Sequence, residues 1–529
     1  MKKRIPALLT AAVMCLSLFT GCDMLKITPD EPENADEIEG VSGTQLIQSY
    51  AADELFSLNC DTGDSMNPFF AKSSANLMFM PLIYDCLFDV DEYYEFTPNL
   101  ITDYSSADGT CWYFTVDTSR KFHNGNSLTA YDAVYSIQRA KNSTLYSARL
   151  SDVIGMTAMD DETFVVNILG ANYQFPALLN IPVIPNESID EPSPAGTGPY
   201  KLDSSGKKLV RFAQHPLFGQ MPIDEIYLKE YTRAADIISA FEDSLIDIVT
   251  NDPNGISSLG YGSANETRYY MTTNMHYIGY NMESMFFQTP GYRHCMTYAI
   301  DRSSIVTNMM DGCGTEATLP LSPISPLYNA NYASSFSFDM EKCEYAFELA
   351  GVSDYDDDEK REYMVTGIPM EINLVFIVCS DSTAKVAAAR SITEKLESIG
   401  ITVTLRELSW DDYSKALSDG AYDMYYGEVR LSADFDLSCL LTSGGSVNYG
   451  KVRDSMYESS ISEYLAAPDW ESRKVACDMM CQMIVENAPI TAVCFEKQQV
   501  LTHRSVVSGI NATQYNIFNH FENWTIDLS

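Results

Sequence analysis

Between residues 370 and 405 the spacing of apolar residues changes twice. Residues 370–378 read MEINLVFIV, a strand-like run. Ser380, Asp381 and Ser382 then offer helix caps. Ala388, Ile392, Leu396 and Ile399 follow at steps of four, four and three, which is one face of a helix. Gly400 can end that helix, and Ile401 to Leu405 alternates as a second strand. The pattern predicts a βαβ unit, the building block of parallel sheets. Residues 112–116 (WYFTV) and 163–168 (TFVVNI) also read as strands, and residues 131–140 and 341–350 as helices. The predicted class is α/β with mixed sheets. No short repeat is visible, and no later run of eighteen apolar residues would span a membrane.

The N-terminus has a different pattern. Lys2, Lys3 and Arg4 precede an apolar run from Ile5 to Phe19, broken only by Pro6, Thr10 and Ser17. The run is short for a spanning helix and is followed by an acidic tract, so residues 1–21 read as a signal peptide. Leu18-Phe19-Thr20-Gly21-Cys22 resembles a lipobox, with Phe19 where Leu is usual. That resemblance implies lipid on the Cys22 thiol. Residues 22–43 are acidic and nearly free of aromatics, a solvated tether. The expected location is the outer face of the cell membrane, held by the lipid.

Composition narrows the function. A chain of 529 residues is too long for one core. Its net charge is −39, or −42 once Lys2, Lys3 and Arg4 are removed, which excludes nucleic acid as a natural partner. The 33 tyrosines supply rings suited to a wet, adaptable binding surface as well as to a core. Eleven cysteines lie beyond Cys22 without a CxxC, an odd number that cannot pair completely, and they read as free thiols. There is no GxSxG, HExxH or P-loop, and none of the six histidines has metal-ligand spacing with another. We therefore expect no enzyme, no metal and no cofactor. A secreted hydrolase working with two carboxylates is the alternative of a different class.

Several blocks, in order, resemble the peptide/nickel-type family of extracellular solute-binding proteins, which includes the oligopeptide- and dipeptide-binding proteins. They are Thr97-Pro98-Asn99-Leu100, the run from Ser106 to Phe114, the run from Arg120 to Ser136, Gly196-Thr197-Gly198-Pro199-Tyr200, the run from Tyr292 to Arg302, and Ile399-Gly400-Ile401. Tyr131 stands where an acidic residue is usual. Locally these residues read as scaffold: Asp108-Gly109 suits a hairpin turn, Thr129 an N-cap, and His123 a satisfied structural position.

The resemblance implies a two-lobed, type II periplasmic-binding-protein-like fold with a hinge and an extra inserted domain. Lobe I would comprise residues 44–66, 181–278 and 500–529, the inserted domain 67–180, and lobe II 279–499. The hinge would lie near 277–281 and 496–501. It further implies a monomeric binding protein that delivers peptides to the permease and ATPase subunits of an ABC importer. Other members bind nickel complexes, haem or oligosaccharides, or sense signal peptides. Few tryptophans argue against a sugar, and no histidine could be placed in the cleft. By the same resemblance Asp434, in Ser432-Ala433-Asp434-Phe435-Asp436 after Tyr422-Asp423, would hold a peptide's α-ammonium group. The usual Trp and Pro around it are missing, Arg430 lies upstream, and Asp436 is a rival anchor.

Overall fold

A computed structural model describes residues 54–255, 260 and 265–529; the expected signal peptide, Cys22 and the tether lie outside them. No helix among the described residues is long and apolar enough to cross a membrane.

Eight strands position the site: β1 (Ser57–Cys60), β2 (Glu225–Glu230), β3 (Ile248–Asn251), β4 (Glu266–Tyr280), β5 (Asn373–Cys379), β6 (Thr402–Leu408), β7 (Met424–Arg430) and β8 (Ile490–Thr502). They share one sheet in the order β6-β5-β7-β4-β8-β3-β1-β2, which two further strands extend beyond β2. The long antiparallel strands β4 and β8 run through its middle. On one flank β1 lies parallel to β2 and β3. On the other β5 lies parallel to β6 and β7. The predicted βαβ unit is β5, the helix Thr383–Glu397 and β6. Ser382 caps the helix by accepting the Lys385 N–H, Ala388, Ile392, Leu396 and Ile399 are buried, and Gly400 takes φ +83°. The run 370–378 is not one strand: a hairpin strand Ile368–Glu371 precedes β5, with buried Ile372 between them.

Two large cores lie on either side of a crossing point. The first includes Leu58, Phe79, Phe114, Phe164, Tyr270 and Val500. The second includes Met275, Tyr280, Phe376, Leu396, Met424 and Phe495. The chain therefore passes between cores at Tyr270–Met275 and again at Phe495–Val500, and the β4–β8 register shifts between Met271 and Met275. The first passage comes a few residues before 277–281, because Tyr277, Ile278 and Tyr280 already belong to the second core. Within residues 67–180 a separate four-stranded antiparallel sheet contains Cys111–Val116 and Thr163–Ile168. Val90, Tyr94 and Ala177 from the same region pack into the second core.

The family-like blocks are structural here. Gly109 takes φ +72° in the turn between two strands, and an added Cβ would meet the Tyr173 ring at 2.9 Å. Asp132 accepts the Thr129 N–H at 2.8 Å at the start of the helix Ala130–Ala140. A Cβ on Gly196 would lie 1.9 Å from the Ile83 carbonyl oxygen, so only glycine allows that approach. His123 bonds the Gly198 carbonyl at 3.0 Å, and burial pushes its pKa down to about 4. Buried Arg302 donates to the carbonyls of Ala317 and Ala492.

Candidate functional site

Strand direction builds a crevice. Strand β3 is antiparallel to β8, as is β4, so β1, β2 and β3 all point from the first core toward the second. Strand β7 is antiparallel to β4, so β5, β6 and β7 point back. The carboxyl ends of both sets face each other across the crossing strands, the place where α/β sheets bind ligands. Lobe II presents there Ser382 and the N-terminus of its helix, and Ser409-Trp410, whose indole is 60% exposed. It also presents the segment 431–436 after β7.

Asp434 lies in that segment and is only 1% exposed. Its Oδ2 accepts the Asn172 Nδ2–H at 2.8 Å, and its Oδ1 accepts the Ser432 hydroxyl at 2.5 Å. Tyr464 donates its hydroxyl to the Asp434 carbonyl at 2.9 Å. Asn172 comes from the inserted region, so the contact bridges that region and lobe II. The same junction holds the Tyr94 and Phe435 rings at 4.9 Å and a bond from the Tyr173 N–H to the Leu465 carbonyl. Asp436 is half-buried and accepts the Ser438 N–H at 2.8 Å. Burial and the charge of Asp434 push its pKa up to about 6. Arg430 ends β7, exposed, and its charge reaches the buried phenols of Tyr270 and Tyr515. A cavity of about 280 Å³ opens beside Tyr94, Tyr270, Met271, Lys497, Gln514 and Tyr515.

The crossing strands carry a second polar group that spacing in the sequence did not bring together. His276 on β4 and Glu496 on β8 are buried and meet at 2.8 Å between Nε2 and Oε1. The Tyr426 hydroxyl lies 3.1 Å from His276 Nδ1. Asn274 donates Nδ2–H to Glu428 at 3.3 Å and to Glu496 at 3.1 Å, and Lys385 pairs with Glu428. Burial opposes ionisation of Glu496, but the His276 and Asn274 bonds hold its carboxyl below the ordinary value. Asp252, at the end of β3, is pushed up by burial and by the charge of Glu496. The only local signal was that His276 and Glu496 adjoin the apolar halves of their strands, Tyr277–Tyr280 and Ala492–Phe495. Their partners, 150 to 220 residues away, could not be read locally.

Among known proteins, residues 95–449 match the family described as bacterial extracellular solute-binding proteins, family 5 Middle. The oligopeptide-binding protein AppA of Bacillus subtilis is 21% identical over 98% of this chain and 97% of its own length. Heme-binding protein A of Haemophilus influenzae is 22% identical over 72% of this chain and 75% of its own. The unliganded open form of the periplasmic murein tripeptide-binding protein MppA aligns with a TM-score of 0.72 at 16% identity, over 90% of this chain and 98% of that one.

Proposed function

The chain belongs to family 5 of the bacterial extracellular solute-binding proteins, and from that premise we propose that it captures short peptides in the crevice for an ABC importer. The observation that supports a peptide is the setting of Asp434. A carboxylate with almost no exposure accepts an N–H from the inserted region, at 2.8 Å. An α-ammonium group is a stronger donor of the same kind and would displace the Asn172 amide. Backbone groups of an extended peptide would pair with the exposed strand ends on either side. A ligand that bonds both lobes favours the arrangement in which both reach it. Closure about the crossing strands is the hinge motion for which periplasmic binding proteins serve as a standard example. Nothing in this cycle requires turnover, and ATP would be used by separate subunits.

In this reading lobe I comprises 44–66, the stretch from 181 to the passage at Tyr270–Met275, and 500–529, the inserted domain is 67–180, and lobe II lies between the two passages. The body works as a monomer. Lipid on Cys22 holds it at the outer membrane face beside its permease. Cys22→Ala should release the body from the membrane fraction or leave the precursor uncut. Unchanged fractionation on immunoblots would count against the anchor.

Asp434 can be tested by calorimetry with tripeptides drawn from a synthetic library. Truncating one partner of a buried charge pair costs roughly 2–5 kcal/mol, so Asp434→Ala should weaken binding more than tenfold. Asp434→Asn should also bind poorly, since it keeps the shape and loses the charge. The N-acetylated form of the same tripeptide should bind weakly and ignore the mutation. Equal affinity in wild type and Asp434→Ala would remove Asp434 from the site and leave Asp436 as the next anchor to test.

A further inference from the structure

We propose that His276, Glu428 and Glu496 form a binding site for a divalent d-block cation on the crevice floor. The site is separate from the peptide anchor. One ligand atom from each of the three residues fits within a sphere where all lie within 4.8 Å of one another. One imidazole nitrogen and two carboxylate oxygens suit a borderline ion such as Zn²⁺. Three protein ligands leave a coordination position open. It opens to solvent on the Glu428 side, because Glu428 is exposed while His276 and Glu496 are buried.

The surroundings are those of a supported metal site. A metal-bound histidine usually donates its other ring N–H to a fixed acceptor. The Tyr426 hydroxyl stands 3.1 Å from Nδ1 and fills that role. In the ion-free state the imidazole can carry its proton on Nε2, donate to Glu496, and accept from Tyr426. Ion binding then needs the other neutral tautomer, with the proton on Nδ1 and Tyr426 accepting it. No proton has to leave the protein.

Asn274 supplies an independent sign. Its Nδ2–H groups face both carboxylates, but its Oδ1 is buried with no partner. Rotating the amide by half a turn would bring Oδ1 toward Glu428 and Glu496. Without a cation that places three oxygens against one another; with a cation it supplies a further donor. Charge leads the same way. Two carboxylates share the floor with Asp252 nearby, and Lys385, on Glu428, is the ammonium that offsets them. A divalent ion would displace Lys385 from Glu428. Because His276 and Glu496 sit on β4 and β8 and Glu428 on β7, the bound ion would tie β7 to the two strands that cross between the lobes.

The test is titration of the whole mature chain, stripped with a chelator, with Zn²⁺ alone in a calorimeter. One equivalent should bind. Glu428→Gln and His276→Gln should each weaken it at least tenfold. Lys385→Met should tighten it several-fold by removing the competing cation, an effect that scattered surface carboxylates would not produce. Uptake without one-to-one stoichiometry, or wild-type affinity in Glu428→Gln, would overturn the site and mark the ion as adventitious. If His276→Gln does not fold, the opposite effects of Glu428→Gln and Lys385→Met decide. Zinc is measured without peptide, so failure here leaves the peptide reading standing.

Discussion

At the scale of single residues, the acidic pair after β7 carries a cost that pH can expose. Asp436 ionises with difficulty because it is largely shielded and faces Asp434. Its pKa in the folded chain, about 6, lies above the ordinary 3.8. A raised carboxyl pKa means that the folded state binds the proton more tightly than the unfolded state. The associated stability is present in full below the unfolded value and is lost as pH rises through about 6. Asp436→Asn removes the titration. At pH 3 the variant and wild type should melt together; by pH 7.5 the variant should melt higher. Scanning calorimetry across that range checks it, and a difference independent of pH would show that Asp436 carries no such cost. The sequence made Asp434 and Asp436 visible as candidates, but not their roles. Burial and the Asn172 bond depend on a segment 262 residues away.

At the scale of elements, β4 and β7 fit together by exchanging glycines for rings. Tyr277 lies opposite Gly427, and Gly279 opposite Tyr425. A Cβ on Gly279 would fall 2.1 Å from Tyr425 Cζ, and one on Gly427 2.5 Å from Tyr277 Cζ. Both rings are buried, so neither can swing away. Gly279→Ala should therefore cost about 1–3 kcal/mol, the usual penalty for overpacking a core. Gly291 is a control. It lies in the helix Pro290–Met296 with open space at its Cβ, so Gly291→Ala should be neutral or stabilising by up to about 1 kcal/mol. Urea unfolding of the two variants distinguishes them, and equal midpoints would refute the ring-over-glycine account. The same contrast explains what was legible. The βαβ unit could be read because its spacing, cap and Gly400 are local. The crossing strands could not, since their register follows from partners far along the chain and from a shift at Met271–Met275. The break at Ile372 was hidden because a hairpin strand and β5 adjoin with one apolar residue between them.

At the scale of the whole molecule, the lobes are joined by two strands and by a junction from the inserted region, where the Asn172–Asp434 bond lies among the Tyr94–Phe435 ring contact and the Tyr173–Leu465 bond, and a repulsion placed inside that junction should act on large masses. Asn172 reaches Asp434 at 2.8 Å, and its own Oδ1 is fixed by the Gln174 N–H at the same distance. The amide therefore has one orientation, with Nδ2 toward the carboxylate. Asn172→Asp replaces the donor by an acceptor of equal size. Two carboxylates at that separation cannot both remain charged without taking up a proton or moving apart. At pH 8 a shared proton is costly, so the inserted region should part from lobe II and the radius of gyration in small-angle scattering should rise. At pH 5 a shared proton restores a hydrogen bond, and the radius should fall toward the wild-type value. Asn172→Ala loses the bond without adding repulsion, so it should shift the radius less than Asn172→Asp at pH 8 and show no pH-dependent return. If Asn172→Asp keeps the wild-type radius at pH 8 while folding normally, the Asn172–Asp434 bond does not control the spacing of the lobes. The stiffness of the strands β4 and β8 would then have to set it.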